Sequence, residues 1–377
     1  MRIAYYAPLK SPDHAVPSGD RELARGLLQA LRIAGHEVAL ASRLRSFDAH
    51  GDAVRQARLG RIGSHSAQRL VARWRGDERP ELWFTYHVHH KAPDFLGPPV
   101  SRALGIPYVI AEASIAPRQR TGPWAEGYAH ACAAIRAADC VIFPNPADVA
   151  AVRDARPAGA ASAMLAPFID VARFVGHAPR APDRRSPALR LITVAMMREG
   201  AKLASYRALA AALARLVDIP WTLSIVGDGP ARASVAAAFA ALRDRVSLVG
   251  MRCAADLASL LAASDLFAWP AIDEAFGIAF LEAQACGVPV VGADTPGVAS
   301  VVAAGRTGLL APHGDIDAFA AALRSLMLDM ALRHRMRISA VEYVRERHDL
   351  PAAAAHLDAI LRDVVRRHRF ADSEVTC

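Results

Sequence analysis

Short, nearly continuous apolar runs alternate with stretches of helical period from one end of the chain to the other. In the first half the runs lie near Arg2–Ala7, His36–Ala41, Glu81–Tyr86, Pro107–Glu112, Cys140–Pro144 and Ser162–Pro167. The second half repeats the scheme near Leu189–Ala195, Trp221–Gly227, Arg245–Gly250, Asp265–Pro270, Val288–Ala293 and Gly308–Ala311. Runs this short and this apolar predict strands buried on both faces. The stretches between them predict helices, for example Asp20–Ala34, with Gly35 placed to end it. Strand–helix alternation predicts parallel sheets covered by helices. The expected fold class is α/β, with two Rossmann-like doubly wound parallel-sheet domains facing a cleft.

The first domain is expected over residues 1–175 and the second over 191–350. Between them, 176–190 has no periodicity and holds Pro179, Pro182 and Pro187, the composition of a linker. Residues 351–369 predict an amphipathic helix that packs back on the first domain. Leu357, Ile360, Leu361, Val364 and Val365 form its apolar stripe, and Arg362, Arg366 and Arg367 lie opposite. In such sheets ligands bind beyond the carboxyl ends of the strands, so function is expected on the loops that follow strands.

Composition narrows the classes. At 53% hydrophobic and 22% charged residues, the chain can fill large cores, which excludes general disorder. The richest apolar stretch, Ile278 to Val291, is interrupted by Glu282 and Gln284, so no spanning helix is expected. The start has no basic segment followed by an apolar core, so no secretion signal is expected. Cys132, Cys140, Cys253, Cys286 and Cys377 form no C-x-x-C pair and no zinc spacing. Free thiols in a reducing cytosol follow.

Net charge is +8, and all but three of the 45 basic side chains are arginines. Basic charge favours phosphates, anionic lipid or nucleic acid. Ala53–Arg75 holds Arg55, Arg58, Arg61, Arg69, Arg73 and Arg75 and no acid, with Leu70, Val71 and Trp74 as a small apolar edge. Two readings stand: a solvated pair of basic helices, or contact with an anionic membrane surface. No aromatic platform accompanies the charge, so nucleic acid is not expected.

The most informative segment is Asp265–Ser300. A strand ends at Trp269-Pro270, a loop carries Asp273 and Glu274, and a helix runs from about Phe276-Gly277 to Gly287. On one continuous helix Glu274 and Glu282 would stand ~80° apart, so they do not form a same-face pair. Glu274 fits a place before the helix and Glu282 one inside it. Free amides at the helix start suit an anion, carboxylates accept from sugar hydroxyls, and Gly277 permits close approach. On spacing alone, an ordinary amphipathic helix with a capping acid stands as an equal reading.

Other signals are weak. Gly227-Asp228-Gly229 lacks the third glycine of a dinucleotide fingerprint, since Arg232 occupies its place. His87, His89 and His90 read as loop histidines near an acceptor rather than a metal site. Ser114 and Ser300 lack the Gly-x-Ser-x-Gly elbow of hydrolases.

Glu274, Phe276, Gly277, Glu282, Ala283, Ala285, Gly287, Pro289 and Val290 together resemble the E-x7-E signature of retaining GT-B glycosyltransferases of family 4, the group 1 glycosyltransferases. Leu223–Pro230, Arg245–Gly250, Gly305–Leu310, Pro167–Asp170 with Phe174, Pro17–Asp20 and Gly35–Val38 resemble further family motifs in the right order. The resemblance implies transfer of a sugar from a nucleoside-diphosphate sugar to a glycan or lipid-linked acceptor, with no metal or other cofactor. It implies that Glu282 holds the ribose and that Glu274, with neighbouring amides, holds the sugar. Phe276, Gly277, Ile278, Gly19 and Met251 are placed on the donor side. Lys202 matches the family lysine that neutralises the departing diphosphate. The family arginine five residues earlier is here Met197, and Arg198 lies one step away. The acid after the next family glycine pair is missing near Ser300. The family's first-domain histidine falls near Glu112 and Ser114, so these two, with His87, are expected on the acceptor side.

The resemblance implies surface polysaccharide or glycolipid synthesis in the cytoplasm, or peripherally at the inner face of the membrane. A nucleotide-sugar epimerase of the same fold and a degenerate, non-catalytic sugar-nucleotide binder are the alternatives.

Overall fold

The computed structural model describes residues 1–16, 18–76, 78–144, 146–174, 188–274 and 277–375. They fall into two units, Met1–Ala166 with Pro351–Cys377, and Pro167–Leu350. Each unit is built on one six-stranded sheet, and every recorded strand pairing within the sheets is parallel.

The first sheet contains β1 (Arg2–Tyr6), β2 (Glu37–Ser42), β3 (Leu82–Val88), β4 (Tyr108–Ala113), β5 (Cys140–Phe143) and β6 (Ala161–Met164). Their order is β2-β1-β3-β4-β5-β6. The second contains β7 (Leu189–Val194), β8 (Trp221–Val226), β9 (Val246–Gly250), β10 (Leu266–Ala268), β11 (Val290–Asp294) and β12 (Gly308–Pro312), in the order β12-β11-β10-β7-β8-β9. The expected two-sheet α/β architecture is therefore present, strand for strand. Inner strands such as β5 and β10 are buried throughout, whereas the edge strands β2 and β6 alternate with exposed positions. That difference is the burial expected of helix-covered parallel sheets.

In each sheet the strand order reverses once. The reversal falls between β1 and β3 in the first unit and between β7 and β10 in the second. At such a point neighbouring strands send their loops to opposite faces, which opens a crevice at their carboxyl ends.

Several element boundaries differ from the expectations. The chain passes between units at 166/167, not near 175, because Ile169, Val171 and Phe174 are buried in the second core. Backbone bonds from Ile169 N to His348 O and from Leu350 N to Ile169 O, both 2.9 Å, hold this segment. Most of the expected 176–190 linker lies outside the described residues, and its last two residues already belong to β7. The basic stretch is a single helix, Ala53–Arg73, not a pair. Its expected apolar edge faces inward, with Val71 and Trp74 in the first unit's core. The terminal helix runs over Leu350–Val375, longer than expected. Within the first unit its Asp358 lies 3.2 Å from His36 and its His368 2.9 Å from Asp139.

Phe174→Ala should cost about 3–5 kcal/mol of stability in urea denaturation. Met164→Ala, on an exposed edge position, should change it by under about 0.5 kcal/mol. Equal small effects would place Phe174 outside the second core.

Candidate functional site

Lys202 and Glu274, and likewise His87 and Glu112, meet at the two points of strand reversal. In the second unit the chain leaves β7 and runs against the loop after β8. Ala195 N donates to Val226 O (3.1 Å), Met197 N to Asp228 O (3.0 Å) and Ala231 N to Met197 O (3.0 Å). The two loops touch so closely that a Cβ on Gly227 would stand 1.9 Å from Ala195 O, and one on Gly229 2.3 Å from Met197 O. Gly-Asp-Gly thus serves the packing of one loop on another. The Met197 side chain is fully buried at 0% exposure. An arginine there would place a charge in the core, whereas Arg198 is exposed.

Gly200, with φ +79°, turns the chain into helix Ala201–Ala214. Lys202 sits in its first turn and forms an ion pair with Glu274. Glu274 arrives from the loop after β10. That loop is held in an unusual shape: Ala271 and Asp273 have φ of +55° and +49°, uncommon for residues with a Cβ. Ile272 N donates to Ser205 Oγ (2.9 Å), and the Ser205 hydroxyl donates to Ala201 O (2.9 Å), so the loop is tied to the helix that carries Lys202. Trp269 Nε1 donates to the same Glu274 oxygen at 3.3 Å, and Lys202 Nζ lies 5.6 Å from the Trp269 ring centre. Tyr206 packs edge-on to Trp269 and donates to Ala195 O (2.7 Å). Lys202, Glu274 and Trp269 therefore form one contact at the reversal point.

Gly277, at φ +63°, precedes helix Ile278–Ala285, and no side chain caps that helix start. Glu282 is half-buried on the same helix, as is Ile278. Phe276 lies outside the described residues. Met251 is 66% exposed just past β9, two strands from β7. Trp269 and Ser205 were not singled out from the sequence. A buried indole N–H needs an acceptor, and that need was the available signal.

In the first unit, β3 and β4 pair with Tyr86 beside Ala111 and Val88 beside Ala113, so His87 and Glu112 stand side by side. Both are left-handed, with φ of +62° and +66°. Such backbone costs about 1–3 kcal/mol per residue and persists only where the surroundings impose it. His87 Nδ1 lies 3.2 Å from Asp20 Oδ1, and Nε2 lies 3.3 Å from Glu112 Oε1. His87 thus stands between two carboxyl groups, a place that favours the charged form of its ring. Burial opposes that charge, but Glu112 and Asp20 prevail and raise the His87 pKa. Burial raises the Glu112 pKa. Asp20 is pushed up by burial but carried below its usual value by His87. The Tyr86 hydroxyl is buried beside Glu112, and burial holds its pKa well above the usual value. His89 packs 4.8 Å from His87, ring centre to ring centre, and burial with His87 drives its pKa well down. Among the described residues, no group of three or more His, Cys, Asp or Glu is arranged to hold a metal ion.

Ser114 is not part of this cluster; its amide donates to Val88 O (3.1 Å). Gly19 opens helix Gly19–Ile33 next to Asp20, behind the N-cap Ser18. Asp20 was missed as a partner because it lies 67 residues from His87 in sequence.

The folded state raises the His87 pKa, so its stabilisation is complete below the ordinary histidine value and fades as pH rises through the raised one. The stability difference between the native protein and His87→Gln, from urea denaturation at stepped pH, should shrink from mildly acidic to alkaline solution. A difference that grows with pH would contradict the two-carboxylate cradle.

Residues 188–329 match the family model "Glycosyl transferases group 1". A stretch of 174 residues is 32% identical to D-inositol 3-phosphate glycosyltransferase of Stackebrandtia nassauensis, covering 46% of this chain and 38% of that protein. Another of 139 residues is 36% identical to N-acetyl-alpha-D-glucosaminyl L-malate synthase of Bacillus anthracis, covering 36% of each. The chain thus spans under two fifths of the length of these curated relatives. Among solved structures, sucrose-phosphate synthase of Thermosynechococcus elongatus is similar with a TM-score of 0.74 at 19% identity, over 97% of this chain and 99% of that one. Anabaena Alr3699/HepE in complex with UDP and glucose gives 0.70 at 18% identity, over 96% and 99%. The second unit therefore carries the match to the group 1 glycosyltransferases, and the chain as a whole has the GT-B architecture of the solved structures it is similar to.

Proposed function

We propose that this protein is a retaining glycosyltransferase that moves a sugar from a nucleoside-diphosphate sugar to a glycan or lipid-linked acceptor. One observation carries the reading: a lysine in the first turn of a helix, at the reversal point of the second sheet, held against a carboxylate and an indole. A diphosphate is the ligand that such a cation suits, because cleavage of the sugar–phosphate bond builds negative charge on the leaving group. Lys202 stabilises that charge, and Arg198 supplies a second positive group from the exposed loop. The diphosphate releases Lys202 from Glu274, which then accepts from donor-sugar hydroxyls. The amides of Gly277 and Ile278 face the donor, with Phe276 on the same side by resemblance alone, and Glu282 accepts from the ribose hydroxyls. Gly19 and Met251 belong to the donor side.

HepE has been solved with UDP and with UDP-glucose, which favours a UDP-sugar as donor here. Attack on the face the leaving group departs from fits the absence of an assigned nucleophile. The acceptor oxygen bonds to the anomeric carbon, the bond to the phosphate oxygen breaks, and the acceptor proton passes to that phosphate oxygen. His87, Glu112 and Ser114 form the acceptor side. Hydroxyl groups donate to the free oxygens of Glu112 and Asp20, which the His87 cation holds in place. A lipid-linked acceptor brings the protein to the inner membrane face as a peripheral partner, in surface polysaccharide or glycolipid synthesis.

Lys202→Ala should lower turnover about 100-fold or more, the loss typical of removing one preorganised charge stabiliser. Release of free nucleoside diphosphate from a panel of donors with a sugar-lipid extract checks this. Unchanged turnover would remove Lys202 from the reaction. Conversion of the donor sugar without any acceptor would instead identify an epimerase.

A further inference from the structure

Helix Ala53–Arg73 presents one face to solvent whose charge no ion pair offsets among the described residues. At 100° per residue, Val54, Arg58, Arg61, Ile62, His65 and Arg69 fall within about 100° of arc, and all six are exposed. From Val54 to Arg69 the face runs about 22 Å, at ~1.5 Å per residue. Val54, at the start of the stripe, is 77% exposed, and Ile62, next to Arg61, is 38% exposed. Between the side chains lies an open groove of about 740 Å³, lined by Arg58, Arg61, Ile62, His65 and Arg69 among others.

The opposite face is firmly anchored. Gln56 donates to Asp48 Oδ2 and Pro123 O, each at 2.9 Å, and accepts from Gly127 N at 2.9 Å. Gly63 brings the helix so close to Phe95 that a Cβ there would stand 2.4 Å from Phe95 Cβ. The outer stripe is therefore held in one orientation.

Arginine alone does not mark a surface in so arginine-rich a chain; the pairing does. On helix Leu350–Val375, Arg362 pairs with Asp358, and Arg366 and Arg367 pair with Asp363. On helix Ala53–Arg73, Arg58, Arg61, Arg69 and Arg73 make no ion pair among the described residues, and the helix contains no acid.

We infer that this face docks on an anionic lipid bilayer. A straight row of cations meets a planar sheet of phosphates along its whole length, and exposed Val54 and Ile62 sit where interfacial apolar residues gain from the headgroup boundary. A nucleic-acid partner would be expected to meet stacking side chains, and the stripe has no aromatic. The surface gives the peripheral location a contact, and it does not depend on the donor chemistry.

Flotation of the full chain with vesicles tests this. Binding is expected to equimolar phosphatidylcholine–phosphatidylglycerol vesicles and not to phosphatidylcholine alone, and it should weaken as salt is raised. The triple variant Arg58→Gln/Arg61→Gln/Arg69→Gln should lower the partition about 100-fold, from about 1 kcal/mol for each basic residue and 1.4 kcal/mol per tenfold. Arg61→Glu alone should lower it about 30-fold on the same scale. The control Arg362→Gln/Arg366→Gln/Arg367→Gln removes the same net charge and should leave binding unchanged. Equal loss in the control would reduce the effect to net charge and overturn the assignment. So would equal binding to neutral vesicles, no vesicle binding, or retention on duplex DNA in place of vesicles at the same salt. The assay uses neither donor nor acceptor, so its failure is separate from failure of the transfer reading.

Discussion

Each sheet is parallel and covered on both faces, and that forces its chemistry to one edge. Strands buried in this way can expose only the loops at their ends. Where the strand order reverses, two neighbouring loops part and leave a crevice between them. The reversals at β1/β3 and at β7/β10 are where His87 meets Asp20 and Glu112, and where Lys202 meets Glu274.

The two reversal points share a plan with the charges exchanged. In the second unit the cation, Lys202, rides on the helix after the first strand of that sheet, and the acid, Glu274, comes from the loop after β10. In the first unit the acid, Asp20, rides on the helix after β1, and the cation, His87, stands near the end of β3. A charge at the edge of a core is stable only when paired and hydrogen-bonded. Each pair therefore holds its own partner in place and keeps carboxylate oxygens available for hydroxyl groups. The cost appears in the backbone: His87, Glu112, Ala271 and Asp273 all adopt positive φ. These residues lie at the carboxyl ends of strands or just beyond, where strain accompanies ligand sites.

Much of this was legible in the sequence. The inner strands announced themselves as apolar runs, because a doubly covered strand has no polar face to interrupt it. Glu274, Glu282 and Lys202 stood out through spacing and resemblance. What escaped was contact between distant segments. Lys202 and Glu274 are 72 residues apart, and His87 and Asp20 are 67 apart; no local rule pairs them. Trp269 read as the end of a strand, while its indole N–H turns out to serve Glu274. Met197 read as a departure from the family, and its complete burial gives the reason: the loop packing at Gly227 and Gly229 draws that side chain into the core. Leu70, Val71 and Trp74 read as a small apolar edge of the basic stretch, with solvent and a membrane surface both open to it. The helical period turns Val71 and Trp74 inward and leaves Val54 and Ile62 outside.

The central claim is that the β7/β10 reversal point holds the nucleoside diphosphate of the donor. Thermal unfolding with UDP, GDP, ADP, TDP or CMP, in the native protein and in Glu282→Ala, tests it most directly. A ligand at 100 times its dissociation constant adds about 2.7 kcal/mol of stability. The account predicts that one diphosphate, UDP, gives a shift of that order and that Glu282→Ala abolishes it. No shift with any diphosphate, or a shift that Glu282→Ala leaves intact, would contradict it.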